Sequence, residues 1–352
     1  MSARLSFVIG LALLVAAHLI ATRWVAPQRA SLVATAEIQD ALTPGEFAGT
    51  LMLGGFRGLA TDLLWMRAVA SKDAGRFYET VTLCEAIVRV QPRFEQVWEF
   101  MAWDMGYNIA HEIGDEDGKW AWFQAGVGFN ARGCRRNPDS VRLLRHLAWI
   151  FYHKGDWFHR RIEAHDFTAL LAPIIAEVDR RAGGGRVAAL PARAGLTTYE
   201  LSTALYRAAI ALADAEGVAV QPFMRRMVPL GIERDGNLWR NRGDHRRALA
   251  RWLDALESWR EITAWHDQPA EDADDARDRA ISRDSYERNE GRLRRKAAFL
   301  ARRLAEDPAV GERVAVAIEA RDWISARAAL AGEGWRTAAN RGGVRWLDEA
   351  PR

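Results

Sequence analysis

Along most of the chain, apolar positions return every three or four residues, the period that keeps them on one side of an α-helix. Leu63, Leu64, Met66, Val69 and Ala70 form one such stripe, and Gly75-Arg76-Phe77 breaks it. Tyr78, Val81, Leu83, Cys84, Ile87, Val88 and Val90 form a second, which Gln91-Pro92 ends. Trp98, Met101, Ala102 and Met105 then take the i, i+3, i+4, i+7 positions of a buried face. Thr197-Thr198-Tyr199-Glu200 is a helix start, continued by Leu201, Leu205, Ala208, Ala209 and Leu212. From Val218 to Leu230 the period is lost around Pro222 and Pro229, and this passage reads as irregular. Residues 271–303 run from acids to bases with a thin apolar stripe, which predicts a long solvated helix whose charges suit its dipole. After Pro308 a short hairpin closes the series. The fold class predicted is all-α.

One register recurs within this pattern. Pro92 follows Gly75 by seventeen residues and Trp98 comes six later; Gly155 follows Pro138 by the same seventeen. Trp98, Ala102 and Met105, like Leu144, Ala148 and Phe151, give a bulky, a small and a large residue on a first helix. Gly75, Gly155 and Gly243 take the turn position, with Phe77 and Trp157 two residues after the first two, and Pro92 and Pro138 close units. Ile232, Gly236, Trp239, Gly243, Ala248, Trp252 and Ala255 meet every spacing, although Arg260 stands where a closing proline belongs. The chain resembles the tetratricopeptide-repeat family, in which 34-residue helical hairpins stack into a solenoid. The likeness covers residues 61–173 and 230–262, and Thr80 and Ile87 depart from it where small residues are usual. It implies a degenerate α-solenoid and a groove that takes a peptide or helix of another protein, and it brings no chemistry.

The N-terminus adds a different element. Leu5 to Thr22 contains no Asp, Glu, Lys or Arg, and its eighteen residues would rise about 27 Å as a helix, close to the apolar thickness of a bilayer. Arg4 and Arg23 flank it and Trp24 sits at the interfacial position. A cleavable signal peptide is the rival, but Ala34-Thr35-Ala36 lies too far downstream for its cleavage site. The expectation is therefore a transmembrane anchor over residues 1–24 of a single-pass protein of a bacterial inner membrane. Flanking charges nearly balance, and the short N-terminal tail points to an extracytoplasmic body. Residues 25–60 are a juxtamembrane linker with a Gly-rich turn, 61–182 a first repeat block, 183–196 a linker around Gly183-Gly184-Gly185, and 197–352 a second block with one clear hairpin at 232–262.

Composition sharpens the functional classes. A hydrophobic share of 49% supports a real core, and fifteen tryptophans suit narrow helix–helix seams. A net charge of +3 without a basic block argues against nucleic acid. Cys84 and Cys134 exclude a disulfide framework and a four-cysteine zinc site, leaving a single pairing open. The polar loop 111–117, where the 46 residues between Pro92 and Pro138 exceed one repeat, holds His111, Asp115, Glu116 and Asp117 as candidate metal ligands. It has neither the EF-hand order nor a second histidine after His111-Glu112. His153, His159 and His165, six apart, would point three ways from a helix. Gly54, Gly55, Phe56, Arg57 and Gly58 lack the strand and Gly-Lys ending of a phosphate loop, and stand as candidate partner contacts.

No motif specifies a cofactor or a reaction, so the expectation is a non-enzymatic, membrane-anchored scaffold or adaptor, an accessory subunit of an envelope, transport or secretion complex. The alternatives are a fixed structural subunit of a membrane complex, or a metal-dependent hydrolase using the acidic loop.

Overall fold

The computed structural model describes residues 57–191, 193–220, 222–267, 273–332 and 334–335. Among these every named element is helical, with one isolated bridge pairing Ala305 and Trp335, so the all-α expectation holds. The described residues contain no helix long and apolar enough to cross a membrane; the expected anchor Leu5–Thr22, and Gly54, Gly55 and Phe56, lie outside them. The chain divides into two compact units, residues 1–137 and 138–352.

The first unit contains α1 (Arg57–Asp73), α2 (Phe77–Val90), α3 (Glu95–Trp103) and α4 (Glu116–Arg136). A π-helical turn, Asp104–Ile109, extends α3 and packs on α4. Gly75, at φ 71°, makes the turn between α1 and α2, a backbone conformation that L side chains resist. The Pro92–Trp98 spacing has a direct cause here. The Pro92 carbonyl accepts from the Trp98 indole at 2.9 Å and from the Asn137 amide at 3.0 Å. Trp98 then lies against Phe129, ring centres 4.8 Å apart, while Ala102 is fully buried. Within the π-helical turn Asp104 is wholly buried, held by Lys72 at 2.8 Å and Asn108 at 2.6 Å.

The stripe expected to bury α1 is split: Leu64 and Val69 are half-buried, while its other members face outward. Thr61, Ala68 and Ser71 face inward, whereas Leu59, Leu63 and Met66 are each more than half exposed, and Ala70 is exposed. Periodicity identifies a face but not its neighbour, and α2 packs on the other side of this helix.

The second unit contains α5 (Val141–His165), α6 (Thr168–Arg181), α7 (Thr198–Glu216), α8 (Pro222–Asn241), α9 (His245–His266), α10 (Ala273–Leu304), α11 (Pro308–Glu319) and α12 (Trp323–Ala331). α7 packs on α5, α6 and α8; α8 on α9; α9 on α10 and α12; and α10 on α11. Residues 232–262 lie in the hairpin of α8 and α9. Gly243 turns at φ 86°, and Gly236 lets the Trp252 ring approach so near that a Cβ would lie 2.4 Å from it. Ala248, Trp252 and Ala255 are fully buried, Lys296 sits 4.1 Å over Trp252, and Arg247 stacks on Trp239 at 3.5 Å.

Three expectations are corrected. Gly155 makes no turn: it lies inside the unbroken α5, where its missing Cβ makes room for Thr198. The spacing was right for a glycine, but helix crossing rather than chain reversal uses it. Trp157 accordingly stays largely exposed beneath the Lys154 ammonium. The passage 218–230 is ordered as helix from Pro222 onward: Pro222 opens the helix, where a missing N–H costs nothing, and Pro229 lies inside it among the buried Met224, Met227 and Val228. The division between units falls at Asn137–Pro138 rather than at 183–196, since Val187, Leu190 and Leu196 of that segment are buried in the second unit.

The α5–α7 crossing generates a prediction. A Cβ on residue 155 would meet the Thr198 hydroxyl at 2.2 Å, in a contact fixed by hydrogen bonds on both sides. Gly155→Val should destabilise the second unit by about 1–3 kcal/mol through overpacking, read as a lowered urea midpoint. An unchanged midpoint would contradict this packing.

Candidate functional site

The concave feature of the second unit starts from one helix beginning. Thr197 caps α7: its hydroxyl accepts from the Glu200 N–H at 3.1 Å, while the Glu200 carboxylate accepts from the Thr197 N–H at 2.9 Å. The same Thr197 hydroxyl donates to Asp235 of α8 at 2.6 Å. Next along, Thr198 donates to the Phe151 carbonyl at 2.6 Å and Ser202 to the Ala148 carbonyl at 2.8 Å, both on α5. The start of α7 is thereby tied to α5 and α8 together.

Asp235 carries the connection onward. It is fully buried, and Arg251 of α9 donates to its second oxygen at 2.6 Å. Burial pushes the Asp235 carboxyl upward, and Arg251 with the Thr197 hydroxyl opposes this by favouring the anion. Burial also works against the Arg251 cation, yet Asp235 and Asp254 carry its pKa above the ordinary guanidinium value. Arg251 continues to Asp254 at 3.1 Å, and Arg327 of α12 joins Asp254 and Glu257, each at 2.7 Å.

Over this network lies a trough. Two cavities of about 350 and 610 Å³ share Ala188, Arg207, Ser258 and Glu261. Glu200, Ala204, Arg207, Ile210 and Asp214 form one wall along α7, and Arg251, Asp254, Glu261 and Trp265 form another along α9. The order of these residues shows α7 and α9 running the same way, with α8 antiparallel between them as the floor through Ile232, Val228 and Arg225. From Glu200 to Asp214 the wall is about 21 Å long at the helical rise per residue. At one end Arg225 pairs with Asp214 at 2.6 Å and stacks on Trp265 at 4.6 Å, with Arg279 on the same indole at 4.4 Å. In the middle, Arg186, Arg207 and Glu261 carry no ion pair among the described residues. The trough therefore ends on an indole covered by two guanidinium groups, beside charges of both signs that carry no ion pair among the described residues.

The third wall is the segment from Arg186 to Pro191, which Asp179 positions. Its carboxylate accepts from the N–H groups of Gly185 at 2.9 Å, Arg186 at 2.8 Å and Val187 at 2.7 Å. These donors, Val187 foremost, hold the Asp179 carboxyl below the usual carboxylate range.

The residues singled out in the sequence behave differently. Asp115 is the N-cap of α4, accepting from the Gly118 N–H at 2.6 Å, and Glu116 pairs with Lys119 at 2.8 Å. His111 and Asp117 are exposed, and among the described residues no three His, Cys, Asp or Glu side chains are placed to hold a metal. Arg57 and Gly58 form the first turn of α1. Cys84 and Cys134 are free and buried, and burial pushes each thiol up to about 12. The trough residues escaped the sequence reading because Arg207, Glu261 and Asp235 look like any charged residue on a helix. The Thr197–Glu200 cap was the one available signal.

The Asp179 turn makes a pH prediction. A carboxyl depressed below its unfolded value of about 3.9 stabilises the fold fully above that value, and the contribution disappears as pH falls through the lower folded value. Amide exchange at Gly185, Arg186 and Val187 should therefore be unchanged from pH 7 to 5 after correction for intrinsic rates, and should accelerate only as the pH falls through the depressed folded value, below the ordinary carboxylate range. Asp179→Asn should lose protection at those three amides already at pH 7. Equal protection in the variant would refute this role.

No family model, curated protein or solved structure matches the chain.

Proposed function

We propose that this protein is a non-enzymatic, membrane-anchored helical scaffold that holds a segment of another protein in the trough between α7 and α9. The observation that carries the reading is the trough itself: about 21 Å of parallel helix walls, an end at Trp265 where Arg225 and Arg279 stack on the indole, and Arg186, Arg207 and Glu261 without an ion pair among the described residues. Partner grooves of this kind combine apolar anchors with charges that fix register. The α1–α2 and α8–α9 hairpins, with their glycine turns, support a degenerate tetratricopeptide-like architecture. Leu5–Thr22 supplies the anchor in this reading, with the body extracytoplasmic.

A second reading, the fixed structural subunit, draws on α1. Leu59, Leu63, Met66 and Ala70 lie at i, i+4, i+7 and i+11, all exposed, directly after the Gly-rich turn. A stripe of that kind fits a permanent subunit contact.

The two readings separate by mutation. Arg207→Glu with Glu261→Arg should remove co-purifying protein from the detergent-solubilised full chain while leaving its circular dichroism and melting temperature intact. Leu63→Glu with Met66→Glu should leave that co-purification in place. Loss only with the α1 pair would favour the structural subunit, and turnover by the partner-free chain would overturn both.

A further inference from the structure

The open face of α1 has the layout of a helix-pairing seam. Leu59, Leu63, Met66 and Ala70 follow one another at intervals of four, three and four residues, the spacing with which one helix packs along another. Leu59, Leu63 and Met66 are each more than half exposed, and Ala70 is exposed with them. The positions that flank such a seam are open as well. Asp62 stands immediately before Leu63 and Arg67 immediately after Met66, both exposed. Thr61, Ala68 and Ser71 lie on the opposite side and are buried, and α2 packs on this helix. α1 thus turns both the core and the edges of a seam to solvent.

The edge charges say what fits it. Asp62 carries no ion pair among the described residues. Arg67 is held from one side, its Nε and Nη2 donating to Glu79 Oε1 at 3.0 and 2.7 Å, which leaves Nη1 over. In a parallel pair of identical helices, the residue just before a seam position faces the residue five further along the other helix. Asp62 of one copy then meets Arg67 of the second, and two-fold symmetry forms that pair twice, once along each edge. Each seam residue meets its own counterpart, so Leu63 stacks on Leu63 and Met66 on Met66. An antiparallel pair over the same stretch would set Asp62 beside Val69 and Arg67 beside Ala60, and would form neither ion pair. The charges therefore select both the occupant and its direction.

We propose that α1 is the contact through which two copies of this chain pair, side by side and parallel, with Leu59, Leu63, Met66 and Ala70 as the core and Asp62–Arg67 ion pairs at both edges. This rests on the α1 contact of the second reading above and gives it an occupant; the trough takes no part. From Leu59 to Ala70 the seam is about 17 Å long at the helical rise, a small interface beside those of stable dimers. The pairing is accordingly reversible and depends on concentration. A like charge placed at either edge position is repelled along both edges at once.

The test uses the full chain in detergent with Met66→Cys, the buried Cys84 and Cys134 staying in place. Mild oxidation should give a dimer linked through position 66 of both copies, in a yield that rises with protein concentration. Adding Asp62→Lys, or adding Arg67→Glu, should lower that yield at least about fivefold. Mixing the two variants should restore it as a mixed dimer, because each new charge then faces its opposite. A folding defect cannot produce such rescue. Charge variants that link as well as the parent, a mixture that fails to recover, or a chain that stays monomeric would overturn the proposal. So would linkage found only between a Leu63→Cys chain and a Met66→Cys chain, the mark of antiparallel pairing. Access of a water-soluble thiol reagent to position 66 separates the remaining occupants. Shielding only by a co-purifying protein would keep the subunit contact and dismiss the second copy. Shielding only in phospholipid vesicles would give the seam to lipid, and no shielding under any condition would dismiss both the pairing and the subunit contact.

Discussion

The second unit depends on three hydroxyls at the start of α7, within about one and a half helical turns. Thr197, Thr198 and Ser202 donate to the Asp235 carboxylate and to the Phe151 and Ala148 carbonyls, at 2.6, 2.6 and 2.8 Å. Each bond is buried, so losing one leaves a polar group with neither water nor a partner, a penalty of about 1–3 kcal/mol. Gly155 is part of the same constraint, because α5 and α7 reach hydroxyl–carbonyl distance only where a Cβ is missing. The crossing fixes α7, α7 fixes α8 through Asp235, and Arg251 extends the chain of contacts to α9 and then α12. The trough walls are consequences of that sequence of attachments.

Buried charge has a different place in each unit. In the first, Asp104 is paired with Lys72 inside a π-helical turn next to the stacked Trp103 and Tyr107 rings. In the second, Asp235 and Arg251 sit under the trough and feed outward into half-exposed carboxylates. Removing one member of such a pair costs more than the pair contributes, since the remaining charge stays desolvated. Conformational specificity, keeping α8 and α9 in a single register beneath the trough, is the role these contacts suit. Arg186, Arg207 and Glu261, in the middle of the trough, carry no ion pair among the described residues.

Much of the helical layout was legible in the sequence because 3.6-residue periodicity and helix caps act locally. The Thr197–Glu200 cap forms as its residues suggest, and Gly243 turns the chain between α8 and α9. Gly155 shows the limit: a glycine at the repeat spacing permits either a turn or a close crossing, and only the partner helix decides which. On α1 the apolar stripe was legible while its direction was not, since Thr61 and Ser71 are buried in its place. The trough was invisible for a related reason. Arg207, Glu261 and Arg186 acquire meaning only from the residues placed opposite them, and pairing across elements 50 or more residues apart leaves no local trace.

That trough is where the account is most exposed to measurement. Hydrogen–deuterium exchange on the full chain, compared with and without the protein that co-purifies with it, locates the contact directly. Added protection should fall on residues 186–191, 200–214 and 254–265, with α1 unchanged. Protection confined to α1, or spread evenly over both units with none at α7 and α9, would contradict the assignment of the trough as the docking surface.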